Sequence, residues 1–481
     1  MDKSGKIHIN KIVGLVLLIL YGVSAVGVVT YCVRLDMIPT KYIVIIAVVL
    51  ILLFALLLIM HKKLVTSVIS SVLSVILIAI CVLGSVYIRQ TTRTIADVTT
   101  VETQKNIVCV YVMKDDPAES VEDIVDYNIG IASERDRENT DKAIATLEQE
   151  TGSSLTTSEY ANMYTMMTDL KAQTIQAVII NDAYVSIIAD SEQYSWVGTD
   201  LRKIAEVENP VEGTAESATQ VPENLPETFV MYLSGIDTYG DISTCSRSDV
   251  NILAVVNTKT KDVLLLSTPR DSYLAYSVTG GAKDKLTHAG IYGVDASMDA
   301  LEQLYGIDIP YYLRINFTGF VDIIDALGGV DVYSEQAFTS RHGNYTFQQG
   351  YNHMDGDQAL GFARERYSFT DGDYQRARNQ MEVIKAVIKK CASSSILTNY
   401  SSVMNSVAGT FETNMPEDQI AALVKMQLSD MAEWNVTSYT TSGTGTSAET
   451  YSMPGQELYV INLDELSIEE AKRQIQEVIQ E

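Results

Sequence analysis

The stretch NILAVVNTKTKDVLLLSTP, residues 251 to 269, contains two apolar runs joined by a short polar segment. Each run has the length and the β-branched and leucine content of a strand that is buried in a sheet. Two similar runs occur nearby, FVMYLSGID at 229 to 237 and YYLRIN at 311 to 316. Helical patterns follow at 294 to 305, 317 to 327 and 373 to 391. This order predicts an α/β unit in which helices cover a sheet.

A smaller α/β unit is predicted ahead of these strands. Short β-rich runs at 107 to 112, 127 to 132 and 176 to 181 alternate with helical patterns at 141 to 150 and 158 to 172. An acidic segment with three prolines follows them and has the composition of a linker.

Residues 94 to 481 therefore divide into four parts. We expect an accessory α/β domain (94–205), the linker (206–228), the main domain (229–391), and a C-terminal part or extension of the main domain (392–481). The last part contains one helical pattern at 416 to 431 and a final strand and helix.

The first 93 residues predict a membrane anchor. Three uncharged apolar runs, at 12 to 33, 42 to 60 and 64 to 88, are each long enough to cross a bilayer. A cleavable signal peptide is the alternative for the first run, but that run is too long, and two more follow it.

Basic residues in the short loops predict the orientation of the anchor. The N-terminal segment and the loop between the second and third runs carry five lysines, Lys3, Lys6, Lys11, Lys62 and Lys63. The opposite ends of the runs carry four basic residues, Arg34, Lys41, Arg89 and Arg93. The bias favours a cytoplasmic N-terminus. The protein is then a multi-pass cell-membrane protein with residues 89 to 481 on the extracellular, cell-wall face.

The formal net charge of −26 argues against nucleic acid as a partner, because a phosphate backbone requires a broad basic surface. The sequence nevertheless gathers arginines in FARERYSFTDGDYQRARNQ, residues 362 to 380. A local cluster of this kind suits a compact anion.

Several common chemistries lack their sequence signatures. The five histidines show no HExxH spacing, and the chain has neither a GxSxG nor a GxxxxGK[ST] motif. Of the five cysteines, two lie in the apolar runs, and the other three show no disulfide framework. A zinc hydrolase, a serine hydrolase and a P-loop nucleotide site are therefore not indicated.

Charged residues stand where three of the apolar strands begin or end. Asp237 follows the first strand, Arg247 and Asp249 precede the second, and Arg270 and Asp271 follow the third. In extended chain Arg247 and Asp249 project to the same face. These side chains are predicted to share one rim of the sheet.

The arginine-rich stretch adds more cationic groups to this prediction. Arg376 and Gln380, four residues apart, lie on the same face of a helix. Arg364 and Arg366, two residues apart, project to the same side only if the chain between them is extended and not helical. Arg378 faces away and is excluded from the predicted site.

Arginines together with paired aspartates predict a pyrophosphate site. Guanidinium groups bind phosphate bidentately, and two close aspartates suit a Mg²⁺ ion that a pyrophosphate would share. Taken singly, each arginine is as well explained by an ion pair with a surface carboxylate. Surface pairing, however, gives no reason for charges to gather at strand ends.

At this point the sequence resembles the LytR-CpsA-Psr family. The resemblance rests on GIDTYGDISTCSRSD, STPRDSY, DKLTHA and FARERYSFTDGDYQRARNQ, in that order, and covers residues 229 to 391. The three apolar runs and the intervening domain resemble the capsule-type branch of the family. Tyr239, Val250 and Asn379 depart from the common pattern.

The resemblance implies an α/β/α sandwich with a central mixed sheet, an apolar tunnel for a polyprenyl tail, and a head-group site. Asp237 and Asp249 would bind Mg²⁺ as the cofactor. Matching positions imply a pyrophosphate site lined by Arg247, Arg270, Arg364, Arg366, Arg376 and Gln380, and Lys285 and Asp373 match further positions of the family's motifs.

The implied reaction transfers a glycopolymer of capsular or teichoic-acid type, with one phosphate, from a polyprenyl (undecaprenyl-type) pyrophosphate to peptidoglycan. Phosphoryl transfer needs charge stabilisation but no protein nucleophile, and either Asp249 or Asp373 could accept the acceptor proton. Two alternatives remain, a non-catalytic regulator or scaffold of capsule export that binds polyprenyl phosphate, and a lipid pyrophosphatase that uses the same site with water.

Overall fold

A computed structural model describes residues 3–100, 103–211, 220–236, 241–393, 403, 406 and 410–480, with the backbone alone at 3–10, 64 and 65. It begins with three long apolar helices, each with the length and composition to cross a membrane. They are α1 (Lys3–Leu35), α2 (Thr40–Met60) and α3 (Leu64–Thr99). The predicted spans lie within these helices, but α3 continues eleven residues beyond its predicted end at residue 88.

The segment after the anchor, the accessory unit (residues 105–210), forms a five-stranded mixed sheet in the order β3-β2-β4-β1-β5. Its elements are β1 (Lys105–Met113), β2 (Asn128–Ala132), α4 (Arg137–Thr151), β3 (Thr156–Tyr160), α5 (Met163–Lys171), β4 (Ala177–Asn181), α6 (Asp182–Ala189), α7 (Val197–Asp200) and β5 (Leu201–Pro210). Apolar clusters cover both faces of the sheet, with α5 and α6 on one face and α4 on the other.

The main unit (residues 228–480) is built on a six-stranded mixed sheet in the order β16-β11-β6-β7-β8-β17. Its strands and helices are β6 (Thr228–Ile236), β7 (Ser248–Asn257), β8 (Asp262–Ser267), β9 (Tyr273–Ala275), β10 (Lys283–Lys285), α8 (Leu286–Ala289), α9 (Val294–Tyr305), β11 (Tyr311–Ile315), α10 (Phe317–Ala326), β12 (Val330–Ser334), β13 (Phe338–Thr339), β14 (Thr346–Phe347), β15 (Gly350–Met354), α11 (Gly356–Arg364), α12 (Asp373–Ala392), β16 (Phe411–Thr413), α13 (Glu417–Asp430), β17 (Asn435–Thr440), β18 (Gly443–Glu449), β19 (Glu457–Leu463) and α14 (Glu465–Gln480).

Helices cover both faces of this sheet, because alternate side chains of the buried strands point to opposite sides. On one face Leu253 and Leu264 pack against α9 and α14, and on the other Ile252 and Leu265 pack against Met381 of α12. The predicted fold, an α/β/α sandwich with a central mixed sheet, is confirmed.

The opening stretch of sequence supplies the centre of this sheet. β7 and β8 are antiparallel neighbours, and β7 also pairs with β6. The parallel partner of β6 is β11, the fourth predicted strand.

Two local predictions were wrong. Residues 158–160 belong to β3 and are not helical, because Asn162 accepts hydrogen bonds from the backbone N–H groups of Tyr164 and Thr165 and so caps α5 after the strand. Residues 206–210 continue β5, where pairing with β1 outweighs their polar composition. The polar stretch 443–449, for which the sequence showed no strand pattern, forms β18, paired with β19.

Candidate functional site

A cavity of about 1,320 Å³ runs beside the main sheet and ends at the charged rim that the sequence predicted. Most of its lining is apolar and comes from α10, α12 and α13 and from strand residues such as Leu233 and Leu313. One further wall comes from the anchor, through Tyr87, Thr91, Ile95 and other residues of α3. The cavity therefore connects the membrane-proximal helix to the charged rim.

The charged end of the cavity brings most of the predicted site residues together. Within the described part of the chain, five arginines and two aspartates line the cavity. The predicted residues among them, with the one predicted amide, are Arg247, Asp249, Arg270, Arg364, Arg366, Arg376 and Gln380. A protein with a net charge of −26 thus presents a cationic end to whatever enters this cavity.

Arg270 and Asp249 form the central ion pair of the site. Arg270 Nη1 donates to Asp249 Oδ1 at 2.8 Å and to Oδ2 at 2.9 Å, and Thr287 Oγ1 donates to Oδ1 at 3.3 Å. Burial by itself raises the pKa of Asp249, but the charges of Arg270, Arg247 and Arg376 outweigh it and hold that pKa well below its usual range. Asp249 is therefore an anion at any physiological pH.

Lys285 and Asp271 form a second ion pair, which lies next to Arg270. Lys285 Nζ lies 2.9 Å from Asp271 Oδ1, and Asp271 Oδ2 lies 3.8 Å from Arg270 Nε. The pKa of Asp271 is lowered, because the charges of Lys285 and Arg270 outweigh the effect of burial. Lys285 thus acts on the site through Asp271.

The helix α12 presents Arg376 and Gln380 to the cavity, as their spacing predicted. Arg376 Nη2 lies 2.8 Å from Asp373 Oδ1, and Gln380 Nε2 donates to the carbonyl of Ala363 at 3.3 Å. Arg378 lies on another face and pairs with Glu335 at 3.2 Å and Asp371 at 2.5 Å. Its exclusion from the site agrees with this geometry.

The chain leaves the helix after Arg364, as the prediction for Arg364 and Arg366 required. Glu365, which caps α11, has extended backbone angles. The Arg364 guanidinium lies 4.1 Å from the centroid of the Phe317 ring, and that of Arg366 lies 4.7 Å from the centroid of the Tyr367 ring. Aromatic faces thus orient both guanidinium groups.

Arg247 is held by a residue that sequence reasoning missed. Its Nη1 donates to Asp190 Oδ2, and Asp190 belongs to the accessory unit. Gly290 permits close packing at this point, since a Cβ there would lie 2.4 Å from the carbonyl oxygen of Ser246. Asp190 lies 57 positions before Arg247 in the sequence, and no motif or spacing links the two residues, so the sequence could not predict this contact.

A Mg²⁺ site of the predicted kind can be tested only in part. Asp237 lies outside the described residues, and among the described ones no group of three or more His, Cys, Asp or Glu side chains has an arrangement that could hold a metal ion. Asp249 fits, because Mg²⁺ is commonly bound by one or two carboxylates and by oxygens of a bound phosphate.

The chain belongs to the LytR_cpsA_psr family, which it matches over residues 194–477. It is similar to the Polyisoprenyl-teichoic acid--peptidoglycan teichoic acid transferase TagU of Bacillus cereus (strain ATCC 14579), with 35% identity over 235 residues, 48% of this chain and 76% of the relative. The protein of the same name from Enterococcus faecalis is 35% identical over 206 residues, 42% of this chain and 66% of the relative.

Among solved structures, a similar chain is TagT, whose structure is described as bound to LI-WTA; it shows 27% identity, a TM-score of 0.45 and coverage of 55% of this chain and 97% of the other. Bacillus subtilis TagV is 25% identical, with a TM-score of 0.45 and coverage of 53% and 98%. The family resemblance is thus confirmed by the family match, and the curated relatives confirm the predicted enzyme class, a glycopolymer transferase.

Proposed function

We propose that the protein transfers a glycopolymer, together with one phosphate, from a polyprenyl (undecaprenyl-type) pyrophosphate carrier to peptidoglycan. One observation carries this proposal: a cavity with a mostly apolar lining also contains a cluster of five arginines among the described residues. An apolar chain and a pyrophosphate joined end to end have the same polarity pattern as this cavity. The names of the relatives support a teichoic-acid type of polymer, and the anchor with its accessory unit leaves a capsular polysaccharide as the other candidate.

The arginines would stabilise the charge that develops during transfer. As the phosphoryl group passes between oxygens, negative charge builds on its equatorial oxygens and on the leaving phosphate. Arg247, Arg270 and Arg376, whose charges all act on Asp249, would donate to those oxygens, and Arg364 and Arg366 line the same cavity. Because burial and fixed partners orient these guanidinium groups, little reorganisation accompanies the reaction.

The two candidate carboxylates take different roles in this proposal. A carboxylate with a pKa as depressed as that of Asp249 is a weak base, so Asp249 is better suited to bind Mg²⁺, together with Asp237. When bound, Mg²⁺ would neutralise charge on the phosphate oxygens. Asp373, next to Arg376, is then the candidate that accepts the proton of the acceptor hydroxyl.

The placement of the anchor supports an extracellular site. The loop between α1 and α2 lies on the side of the main unit, since Asp36 pairs with Lys425 at 2.7 Å and Lys41 donates to the carbonyl of Ser429 at 2.6 Å. Lys62 and Lys63 lie at the opposite end of the helices. With the more basic end in the cytoplasm, the main unit faces the cell wall.

Turnover of a polyprenyl-pyrophosphoryl saccharide by the full chain tests the proposal. Release of polyprenyl phosphate that depends on added peptidoglycan, with the saccharide attached to it, is the expected result. Equal release without peptidoglycan would indicate a lipid pyrophosphatase, and binding without release would indicate a regulator or scaffold.

Replacement of Asp249 by Asn provides the matched chemical test. The amide keeps an acceptor for the buried Arg270 but loses the anionic ligand, so we expect turnover to fall about a hundredfold or more while the fold persists. Wild-type turnover by this variant, or in excess chelator, would contradict the assignment of Asp249 as a Mg²⁺ ligand.

A further inference from the structure

The accessory unit places one carboxylate inside the cavity. Asp190, the residue that caps the C-terminus of α6, lines the cavity and accepts a hydrogen bond from Arg247. The carboxylates that hold Arg270 and Arg376 come from the main unit itself. The pair of Arg247 and Asp190 therefore differs from these two, because it joins separate parts of the chain.

The helix itself gives no reason for an aspartate at this position. The C-terminus of a helix carries partial negative charge, which disfavours a neighbouring carboxylate. The pKa of Tyr164 is raised to about 12 by its burial and by the charge of Asp190, which places the Asp190 carboxylate close to this neutral phenol. The favourable partner of Asp190 is Arg247.

The two members of the pair differ in exposure. The side chain of Arg247 is 6% exposed, whereas that of Asp190 is 51% exposed. A half-exposed carboxylate can return to water at little cost, but a buried guanidinium cannot. Of the two side chains, Asp190 is therefore the one that can move into solvent.

We propose that Asp190 is a displaceable positioning residue of the head-group site. It holds Arg247 in the cavity wall until phosphate oxygens of the lipid carrier replace it. This inference rests on the proposed function, because it takes the head group of a polyprenyl pyrophosphate as the displacing anion. Every binding event then includes the displacement of one carboxylate, and each departure of the polyprenyl phosphate product is assisted by its return.

Titration of the full chain in detergent with geranylgeranyl pyrophosphate tests this role. Asp190→Asn removes the competing charge, so we expect it to bind the ligand about five- to tenfold more tightly than the wild type. Asp190→Ser should give a similar gain, which guards against a defect specific to one variant. Asp141→Asn, which removes an exposed ion pair with Arg137 in the same unit, is the control and should bind as the wild type does.

The dependence on Arg247 separates displacement from a merely structural role. In an Arg247→Ala background, Asp190→Asn should no longer change the affinity, because the carboxylate then has no guanidinium to occupy. Unchanged or weaker binding by both Asp190 variants, or a gain that persists without Arg247, would overturn the proposal. If instead the wild type fails to bind geranylgeranyl pyrophosphate, or Arg247→Ala binds it equally well, the proposed head-group site itself is wrong.

Discussion

At the scale of single residues, the site is organised before any ligand enters. Asp249 holds Arg270, Asp373 holds Arg376, and the ring of Phe317 orients Arg364. A guanidinium that is already fixed loses little conformational entropy when it binds phosphate, so more of the interaction energy appears as affinity.

Arg376 and Arg378 offer a matched comparison on one helix. We expect Arg376→Ala to weaken polyprenyl pyrophosphate binding about ten- to hundredfold, since it loses charge-assisted hydrogen bonds of roughly 1.5–3 kcal/mol. Arg376→Lys should recover only part of this loss, because an ammonium group lacks the planar fork. Arg378→Ala should bind nearly as the wild type does in the same titration. Equal losses from both alanine variants would mean that general positive charge, and not a shaped site, attracts the ligand.

Asp136, in the accessory unit, predicts a pH-dependent stability. Burial, aided by the charge of Glu138, raises the pKa of Asp136 from 3.8 to about 6. Hydrogen bonds from Asn139 and Asn181 lower this pKa, but their effect is smaller. The Oδ2 atom of Asp136 is buried without a hydrogen-bond partner. Between pH 4 and 6 the folded state therefore binds more protons at this site than the unfolded state, and stability falls as the pH rises through this window.

An amide at this position removes that dependence. We expect Asp136→Asn to be about 1–3 kcal/mol more stable than the wild type at pH 7, with a higher Tm, and the difference to vanish near pH 4. Asparagine also tolerates the positive φ of 54° at this position. Thermal unfolding of both proteins across pH 4–7 measures the difference, and a pH-independent difference would contradict the assignment to Asp136.

At the scale of elements, α3 serves two parts of the molecule. Its 36 residues span about 54 Å at 1.5 Å per residue, whereas a hydrocarbon core is roughly 30 Å thick. Its last part packs on the main unit, where Ile95 lies in one apolar cluster with Ala421 of α13 and Met37 of the α1–α2 loop. One wall of the cavity is therefore continuous with a membrane helix.

This geometry predicts that a bulky residue on the inner face of α3 blocks the apolar chain. Thr91 is buried and lines the cavity, while Thr92 is exposed. We expect Thr91→Trp to weaken binding of a long polyprenyl pyrophosphate about tenfold or more, through lost burial of methylene groups, and to leave inorganic pyrophosphate binding unchanged. Thr92→Trp is the control and should affect neither ligand. An equal effect of Thr91→Trp on both ligands would indicate general damage to the fold.

At the scale of the whole molecule, the proposed orientation predicts where the linker lies. Glu223 is exposed, so Glu223→Cys in a Cys391→Ser background provides one accessible thiol on the main unit's side. A membrane-impermeant thiol reagent should modify it in intact cells. Modification only after permeabilisation would place the main unit in the cytoplasm and contradict the proposed location.

The sequence by itself determined the central strands of the main sheet and most of the cationic site. β6, β7, β8 and β11 were predictable because a strand buried on both faces is apolar along its whole length. The arginines of residues 362–380 were predictable because their spacing on α12 and on the extended chain after Arg364 is a local property.

Only the tertiary structure decided which distant segments complete the site. The contact of Asp190 with Arg247 joins two units of the chain, and the wall formed by α3 joins the anchor to α10, α12 and α13. Neither contact leaves a periodic pattern, because an exposed aspartate and a threonine on a membrane helix look like ordinary surface residues. Such contacts depend on how the units pack against each other, and packing is set by the shapes of whole surfaces and not by the spacing of neighbours along the chain.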